Sequence, residues 1–347
     1  MLGVYTREKQ RGGKLAVISD SNVAPYYMED CLEGLELTGY KAEGFVVPAG
    51  EKSKAGSTYM NLLEKLAECG MAEGDGIVAL GGGRIMDLAG YLAATYLGGI
   101  KLYLVPTSLM AMLDYSLSEK FSIDLGTGRD VASVHYRPEM VLRDPMVLRT
   151  LTRSMMREGI SEIIRCGATS DAELFEALEH AVSAKSFDID LPSMIERCAA
   201  IRMSEKKAAD LGATTDYDSV GPLNYGSSIA SAIERVSNYS ISHGFALAKG
   251  MDITSKVGAR IGWCTREVYD RIHILLSDLR YDLSPGCEMG AIVAKLYEQN
   301  LQRVKESQMM RHAGADAKRK ITTIRIAAPA EIGKSGIFDL ELEELLK

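Results

Sequence analysis

Residues 76–99, GIVALGGGRIMDLAGYLAATYLGG, decide the fold. Gly76–Leu80 is an apolar run of strand length, Gly81, Gly82 and Gly83 break it, and Ile85–Tyr96 resumes as an Ala- and Leu-rich stretch of helical character. A strand, a glycine turn and a helix in that order make the opening of a βαβ unit. Working outward, KLAVISD (14–20), Phe45–Val47 and Lys101–Val105 read as further strands. Met60–Cys69, MNLLEKLAEC, reads as a helix with apolar residues three and four apart. Strands alternating with helices imply a parallel sheet covered on its faces. Ligands of such sheets collect at the carboxyl ends of the strands, where Asp20, Gly81–Gly83 and Thr107 fall.

The texture changes after about Asp144. Leu151–Cys166, Ala172–Ala184, Pro192–Leu211, Gly226–Val236, Phe245–Ile261 and Thr265–Leu279 all carry helical patterns, and strand-like runs nearly vanish. The second half is therefore expected to be all-α, with Ile321–Ala328 as one isolated strand returning to a surface. A length of 347 residues, about twice that of a common domain, agrees with two domains, placed at 1–148 and 149–347.

Composition narrows the function class. With 46% hydrophobic and 25% charged residues the chain has the apolar material for real cores, which excludes disorder. Lys and Arg number 40 against 47 Asp and Glu, and the net charge of -7, without a long basic block, argues against a nucleic-acid partner. An anionic small substrate stays open, because local basic clusters can oppose the global sign. No uncharged apolar run reaches membrane-helix length and the first residues lack a secretory pattern, so the expected location is the cytoplasm and no membrane partner is expected. The six cysteines form no CxxC pair and are expected as buried free thiols.

A glycine triplet between strand and helix brings backbone N–H groups and a helix N-terminus against a phosphate, although a plain tight turn has the same sequence. It is not the spaced G-x-G-x-x-G of the common dinucleotide fingerprint. Its neighbours add weight: VISDSNVAPYY (17–27), VVPAGEKSK (46–54), ALGGGRIMDLAGYLAATYLGG (79–99) and LVPTSLMAMLDYSLSEK (104–120). With GTGRD (126–130), REGISEIIRCG (157–167), LNYGSSIASAIE (223–234), SHG (242–244) and EIGKSG (331–336), this order closely resembles dehydroquinate synthase, of the sugar-phosphate cyclase superfamily, over nearly the whole chain.

The resemblance implies an N-terminal Rossmann-like nucleotide-binding α/β domain followed by a helical metal- and substrate-binding domain. It implies a homodimer, and a reaction in which NAD oxidises a ring hydroxyl transiently, phosphate is eliminated, the ketone is reduced and an intramolecular aldol closes a carbocycle. The substrate so implied is a seven-carbon keto acid phosphate of aromatic amino-acid precursor (shikimate) synthesis. Carried over by position, Asp20, Asn22, Glu51, Lys54, Gly82, Gly83, Asp87, Thr107, Ser108, Arg129 and Thr150 line NAD. Asp114, Lys120, Arg165, Lys206 and Asn224 act on the substrate, and Glu162, His243 and Ser227 fall at the positions of the divalent zinc or cobalt ligands.

Several positions depart from the family's pattern. Ser227 and Ser231 stand where G-H-x-x-x-H has its two histidines, and a neutral hydroxyl is a poor ligand beside imidazole. Asp130 replaces the asparagine of GKN and Arg129 its lysine; Gly98 replaces an arginine of A-T-Y-x-R-G; Val220 replaces another arginine; Arg165 replaces a lysine; and D-K-K reads Asp316, Ala317, Lys318. Donors for an anion are thus changed together, which points to divergence rather than isolated replacements. Three readings follow: the dehydroquinate-forming lyase itself, a cyclase of the superfamily with another polyol or sugar phosphate, and a catalytically silent NAD-binding paralogue. Read without the family, Glu158, Glu162 and Arg165 share one helix side as surface ion pairs, and Lys120, Arg165 and Lys206 are solvated charges.

Overall fold

The structure, a computed structural model, describes residues 13–126, 128–184, 189–212, 221–310 and 321–347, without the side chains of residues 51, 206–212 and 303–310. The chain divides into two compact units, Met1–Met156 and Arg157–Lys347.

Unit 1 runs β1 (Lys14–Asp20), α1 (Ala24–Glu36), β2 (Lys41–Val47), α2 (Gly56–Glu68), β3 (Gly76–Gly81), α3 (Gly83–Thr95), β4 (Lys101–Pro106), α4 (Leu109–Leu113), β5 (Lys120–Leu125), β6 (Gly128–His135) and β7 (Met140–Val141). Five strands form a parallel sheet in the order β2-β1-β3-β4-β7, and β5 and β6 pair separately as an antiparallel hairpin. Every residue of β3 is buried, as a central strand covered on both faces requires. Alternation assigns the faces: Ile18, Ile77, Ala79, Leu102 and Leu104 pack with Leu62, Leu66, Ile85, Leu88 and Phe121, whereas Val17, Val78, Leu80 and Tyr103 pack with Met28 and Leu35 of α1. The four strands and two helices read from sequence are present. The helix α1 escapes a periodicity reading because it buries only Met28 and Leu35, seven residues apart.

Unit 2 contains most of α5 (Arg153–Ser170), then α6 (Ala172–Ser183), α7 (Leu191–Gly212), α8 (Ser227–Val236), α9 (His243–Arg260), α10 (Arg266–Asp278) and α11 (Met289–Met310). The division between the units falls inside the first turn of α5. Helices dominate, as expected, but the late strand is not isolated: β8 (Thr323–Glu331) pairs antiparallel with β9 (Lys334–Glu341), and EIGKSG supplies the turn. The second strand, KSGIFDLE, buries only Leu340, so its sequence lacks an apolar face of its own. Trp263 covers part of the hairpin by stacking on Phe338, ring centroids 4.4 Å apart.

All six cysteines are free; Cys166 and Cys198 are buried, and the other four are only half-buried, contrary to expectation. Among the described residues no helix is long and apolar enough to cross a membrane.

Candidate active site

In unit 1 the strand order reverses between β1 and β3: the chain steps from β1 outward to β2, then returns across to β3 and β4. Such a switch point opens a crevice at the carboxyl ends of the two strands. Asp20 ends β1 and Gly81 ends β3. One carboxylate oxygen of Asp20 accepts the N–H groups of Asn22 (2.8 Å) and Val23 (3.1 Å), fixing the turn on which exposed Asn22 stands. Gly82 caps α3, whose first N–H groups have no partner within the helix. The three glycines differ: a Cβ on Gly81 would meet Ile85 at 2.7 Å and one on Gly83 the Tyr115 ring at 2.6 Å, but one on Gly82 would meet only Ser108 Oγ, at 3.6 Å. Gly81 and Gly83 are therefore needed for packing, and Gly82 leaves its backbone open to a close approach. Thr107 donates its N–H to Gly81 O (2.9 Å), and Ser108 caps α4 through Ala111 N, so both are tied to the turn's geometry.

One turn into α3, Asp87 is buried against Lys54, which ends the short 3-10 turn Glu51–Lys54. The Lys54 ammonium donates to Asp87 Oδ2 (2.7 Å), Asp130 Oδ1 (2.5 Å) and Ser122 Oγ (3.1 Å). Burial works against its charge, but Asp87 and Asp130 outweigh it and raise the Lys54 pKa. Burial pushes Asp87 up to about 6, against the pull of Lys54. For Asp130, partial burial is outweighed by the hydrogen bonds from Lys54 and Ser122, which hold it below the usual carboxylate range. Asp130 carries a left-handed φ of 56°, a conformation that Asn and Asp tolerate best among side-chain-bearing residues.

In unit 2, α5 supplies Glu162 and Arg165, α8 begins at Ser227 and α9 begins at His243. The start of α9 lies directly against α5: a Cβ on Gly244 would fall 2.4 Å from Glu158 O, and Ser242 Oγ donates to Glu158 Oε1 (2.9 Å). This approach sets His243 Nε2 3.8 Å from Glu162 Oε1. Glu162 is fully buried. Its Oε2 accepts from Arg165 Nη2, the ion pair that a surface reading also expects but here sealed from solvent, and from Arg202 Nη2 (3.3 Å). Arg165 extends its other amino group, Nη1, to Ser227 Oγ (2.9 Å). His243 Nδ1 is 2.7 Å from Glu234 Oε1, and a carboxylate there accepts the Nδ1 proton, so in the neutral ring Nε2 is the nitrogen that can serve as a ligand.

These atoms test the fit of a divalent ion. Ligand atoms around a tetrahedral zinc lie about 3.4 Å apart. Two facing ligand atoms at 3.8 Å, one of them a buried carboxylate oxygen without a hydrogen-bond partner, form part of such a seat. The carboxylate behind the imidazole is the support that metal-bound histidines usually have. Ser227 does not complete the set, because its oxygen is engaged by Arg165.

Family models agree over most of the chain: 3-dehydroquinate synthase N-terminal matches residues 44–158 and 3-dehydroquinate synthase C-terminal residues 159–307. The chain belongs to the 3-dehydroquinate synthase family. A 3-dehydroquinate synthase of Synechocystis sp. is 31% identical over 97% of this chain and 89% of its own length. The fold is shared with a 2-epi-5-epi-valiolone synthase from Streptomyces hygroscopicus subsp. jinggangensis, solved with NAD+ and Zn2+ (TM-score 0.82, 20% identity, covering 98% of this chain and 91% of that one). It is shared also with a 2-deoxy-scyllo-inosose synthase complexed with carbaglucose-6-phosphate, NAD+ and Co2+ (TM-score 0.77, 20% identity, 99% and 93%).

Within this family frame, the residues carried over by position fall into three groups. Lys54 and Asp87 come together, as do Glu162, Arg165, Ser227 and His243. Others are placed within unit 1: Asp114 caps α4, Lys120 opens β5 exposed, Arg129 is half-buried on β6, and Thr150 bonds Tyr27 OH (2.9 Å). Asn224 accepts from Gly221 N (2.8 Å) in the turn before α8. The side chains of Glu51 and Lys206 lie outside the described residues, as do Val220 and Asp316–Lys318. Four residues were missed: Ser122, Arg202, Glu205 and Glu234. Glu234 is seven residues after Ser227 on α8, a spacing that places both on one helix side and was there to be read. Arg202 and Glu205 had no signal, since nothing in α7 relates them in sequence to Glu162. Glu205 Oε2 accepts from Leu223 N (3.3 Å), its other oxygen has no partner, and burial raises its pKa.

Proposed function

We propose that the protein is a carbocycle-forming lyase of the dehydroquinate synthase type, using NAD to eliminate phosphate from a seven-carbon keto acid phosphate before intramolecular aldol closure. The observation that carries this reading is the switch point of unit 1, where Asp20 and the open backbone of Gly82 flank one crevice, in a chain that matches this family in both units. The dinucleotide, when bound, supplies reversible hydride exchange, and a divalent ion supplies polarisation of the hydroxyl being oxidised.

This chain's own residues do the rest. Asp20 and Glu51 suit ribose hydroxyls, and the N–H groups at the start of α3 suit a pyrophosphate. Asp87 and Asp130 hold Lys54 in one place with its charge on, so that its remaining reach is fixed. Glu162 Oε1 and His243 Nε2 are the donors for the ion, and Glu234 keeps the imidazole proton on Nδ1. Lys120, Lys206 and Asn224 orient an anionic substrate. Pairing of two chains and a cytoplasmic location belong to the same reading.

A second reading has a specific support. Asp130 brings a negative charge to Lys54, and Arg165 is committed to Glu162 and Ser227, so the donors left for a phosphate differ from the family's. That favours another sugar or polyol phosphate. Phosphate release from the seven-carbon substrate, with NAD and Co2+ added, decides between them. Release supports the first reading; no release, with turnover of another sugar phosphate, selects the second. NAD binding without turnover of any compound would leave a silent paralogue and end both.

A further inference from the structure

Unit 2 surrounds one fully buried carboxylate with two guanidiniums, and one of the two, Arg165, reaches a second element. Arg202 reaches Glu162 at 3.3 Å, and Arg165 spans Glu162 Oε2 and Ser227 Oγ. The Arg165 guanidinium thus lies between the carboxylate and the start of α8. A third donor approaching the Glu162/His243 pair from Ser227 has to come through that position. We propose that Arg165 is the positioning residue that sets the divalent-ion affinity of this seat, acting as a fixed internal cation beside Glu162. The proposal rests on the reading of Glu162 and His243 as ion donors.

The physical argument is a competition for one carboxylate. A guanidinium bound to one oxygen draws electron density from the other and adds like charge beside an incoming dication. Its planar fork, anchored at both ends, cannot turn away without giving up a charge-assisted bond to a buried partner. A lysine at the same place keeps the charge but, as a single point donor on a flexible stem, does not hold both anchors. It follows that the hydroxyl of Ser227 is not the sole obstacle to tight binding, and that an imidazole placed there meets an occupied corner.

The test uses metal-stripped protein, free of nucleotide and substrate, titrated with Co2+ alone. Affinity is read by competition with a chelator, coordination by the visible absorption of Co2+, and integrity by far-UV circular dichroism. Relative to the wild-type protein, Arg165→Lys is expected to bind about tenfold more tightly, the scale of one charge-assisted hydrogen bond. Ser227→His alone should gain less than about threefold, and the two together about a hundredfold or more, with a four-coordinate cobalt spectrum. Ser227→His leaves Arg165 untouched, so it keeps the test alive should Arg165→Lys misfold. The proposal is overturned if Ser227→His alone matches the double variant, or if a folded Arg165→Lys binds no better than wild type. A lack of cyclase turnover leaves these outcomes readable, because no substrate is present.

Discussion

The two units carry inverted clusters. In unit 1 one ammonium, Lys54, sits among two carboxylates; in unit 2 one carboxylate, Glu162, sits among two guanidiniums. They differ most in their access to water. Asp130 leaves 60% of its side chain exposed, so unit 1 can shed charge to solvent, whereas Glu162 has no exposure at all. Effective dielectric is lower around the sealed cluster, and each charge there depends more on its partner. The difference predicts that removing the central residue costs much more in unit 2 than in unit 1.

Glu162→Ala should give the largest effect. It strands two guanidiniums whose shared anion is buried, and a loss of about 3–5 kcal/mol is expected, measured as a lower urea midpoint by circular dichroism. A loss below about 1 kcal/mol would mean that both arginines reach water unaided, and the contrast between the clusters would fail. Gly244→Ala comes next. Its methyl group has no room beside Glu158 O, so α9 must shift from α5, at a cost of about 1–3 kcal/mol. The same shift moves His243 from Glu162, so the cobalt spectrum should weaken with stability, a pairing that a merely loosened helix elsewhere does not produce.

The third effect is pH-dependent and belongs to unit 1. Asp87 has a folded pKa of about 6 against an ordinary value of 3.8, so the folded chain holds this proton more tightly than the unfolded chain. Its contribution is complete below the unfolded value and is lost as pH rises through about 6. Urea midpoints of the wild-type protein should therefore decline across that window more steeply than those of Asp87→Asn. The expected difference is on the order of 2–3 kcal/mol. Parallel profiles would show that Lys54 compensates Asp87 fully and that the cluster is not pH-sensitive.

Much of this was legible in the chain. The run from Gly76 to Tyr96 specifies strand, turn and helix because each signal is strong: a buried apolar strand, three glycines and a periodic helix. The motifs around Glu162, Ser227 and His243 likewise named side chains that the fold brings together, although not their wiring. That Arg165 would bridge Glu162 and Ser227 depends on how α5 meets α8, and that Arg202 would join them depends on α7, neither of which leaves a periodic trace. Asp130 shows the same limit from the other side. The sequence shows a carboxylate in place of an amide there, but not that the folded chain gives that carboxylate two donors, Lys54 and Ser122.

Asp130→Asn should have the smallest effect on stability and a distinct effect on binding. The residue is mostly exposed and its left-handed backbone suits asparagine equally, so stability should change by only about 0.2–1 kcal/mol. With Asp87 and Asp130 both ionised, the Lys54 cluster has a net charge of one minus; the variant brings it to zero. Inorganic phosphate or NAD should then bind about two- to tenfold more tightly at low salt, the range expected for removing one unit charge a few ångströms from an anion at a wet surface. The gain must shrink as ionic strength rises, because the charge removed faces water. Calorimetric titration at two salt concentrations separates the outcomes. A gain that persists at high salt would come from a new hydrogen bond of the asparagine amide rather than from relief of repulsion, and unit 1 would then be recognising anions by geometry rather than by charge.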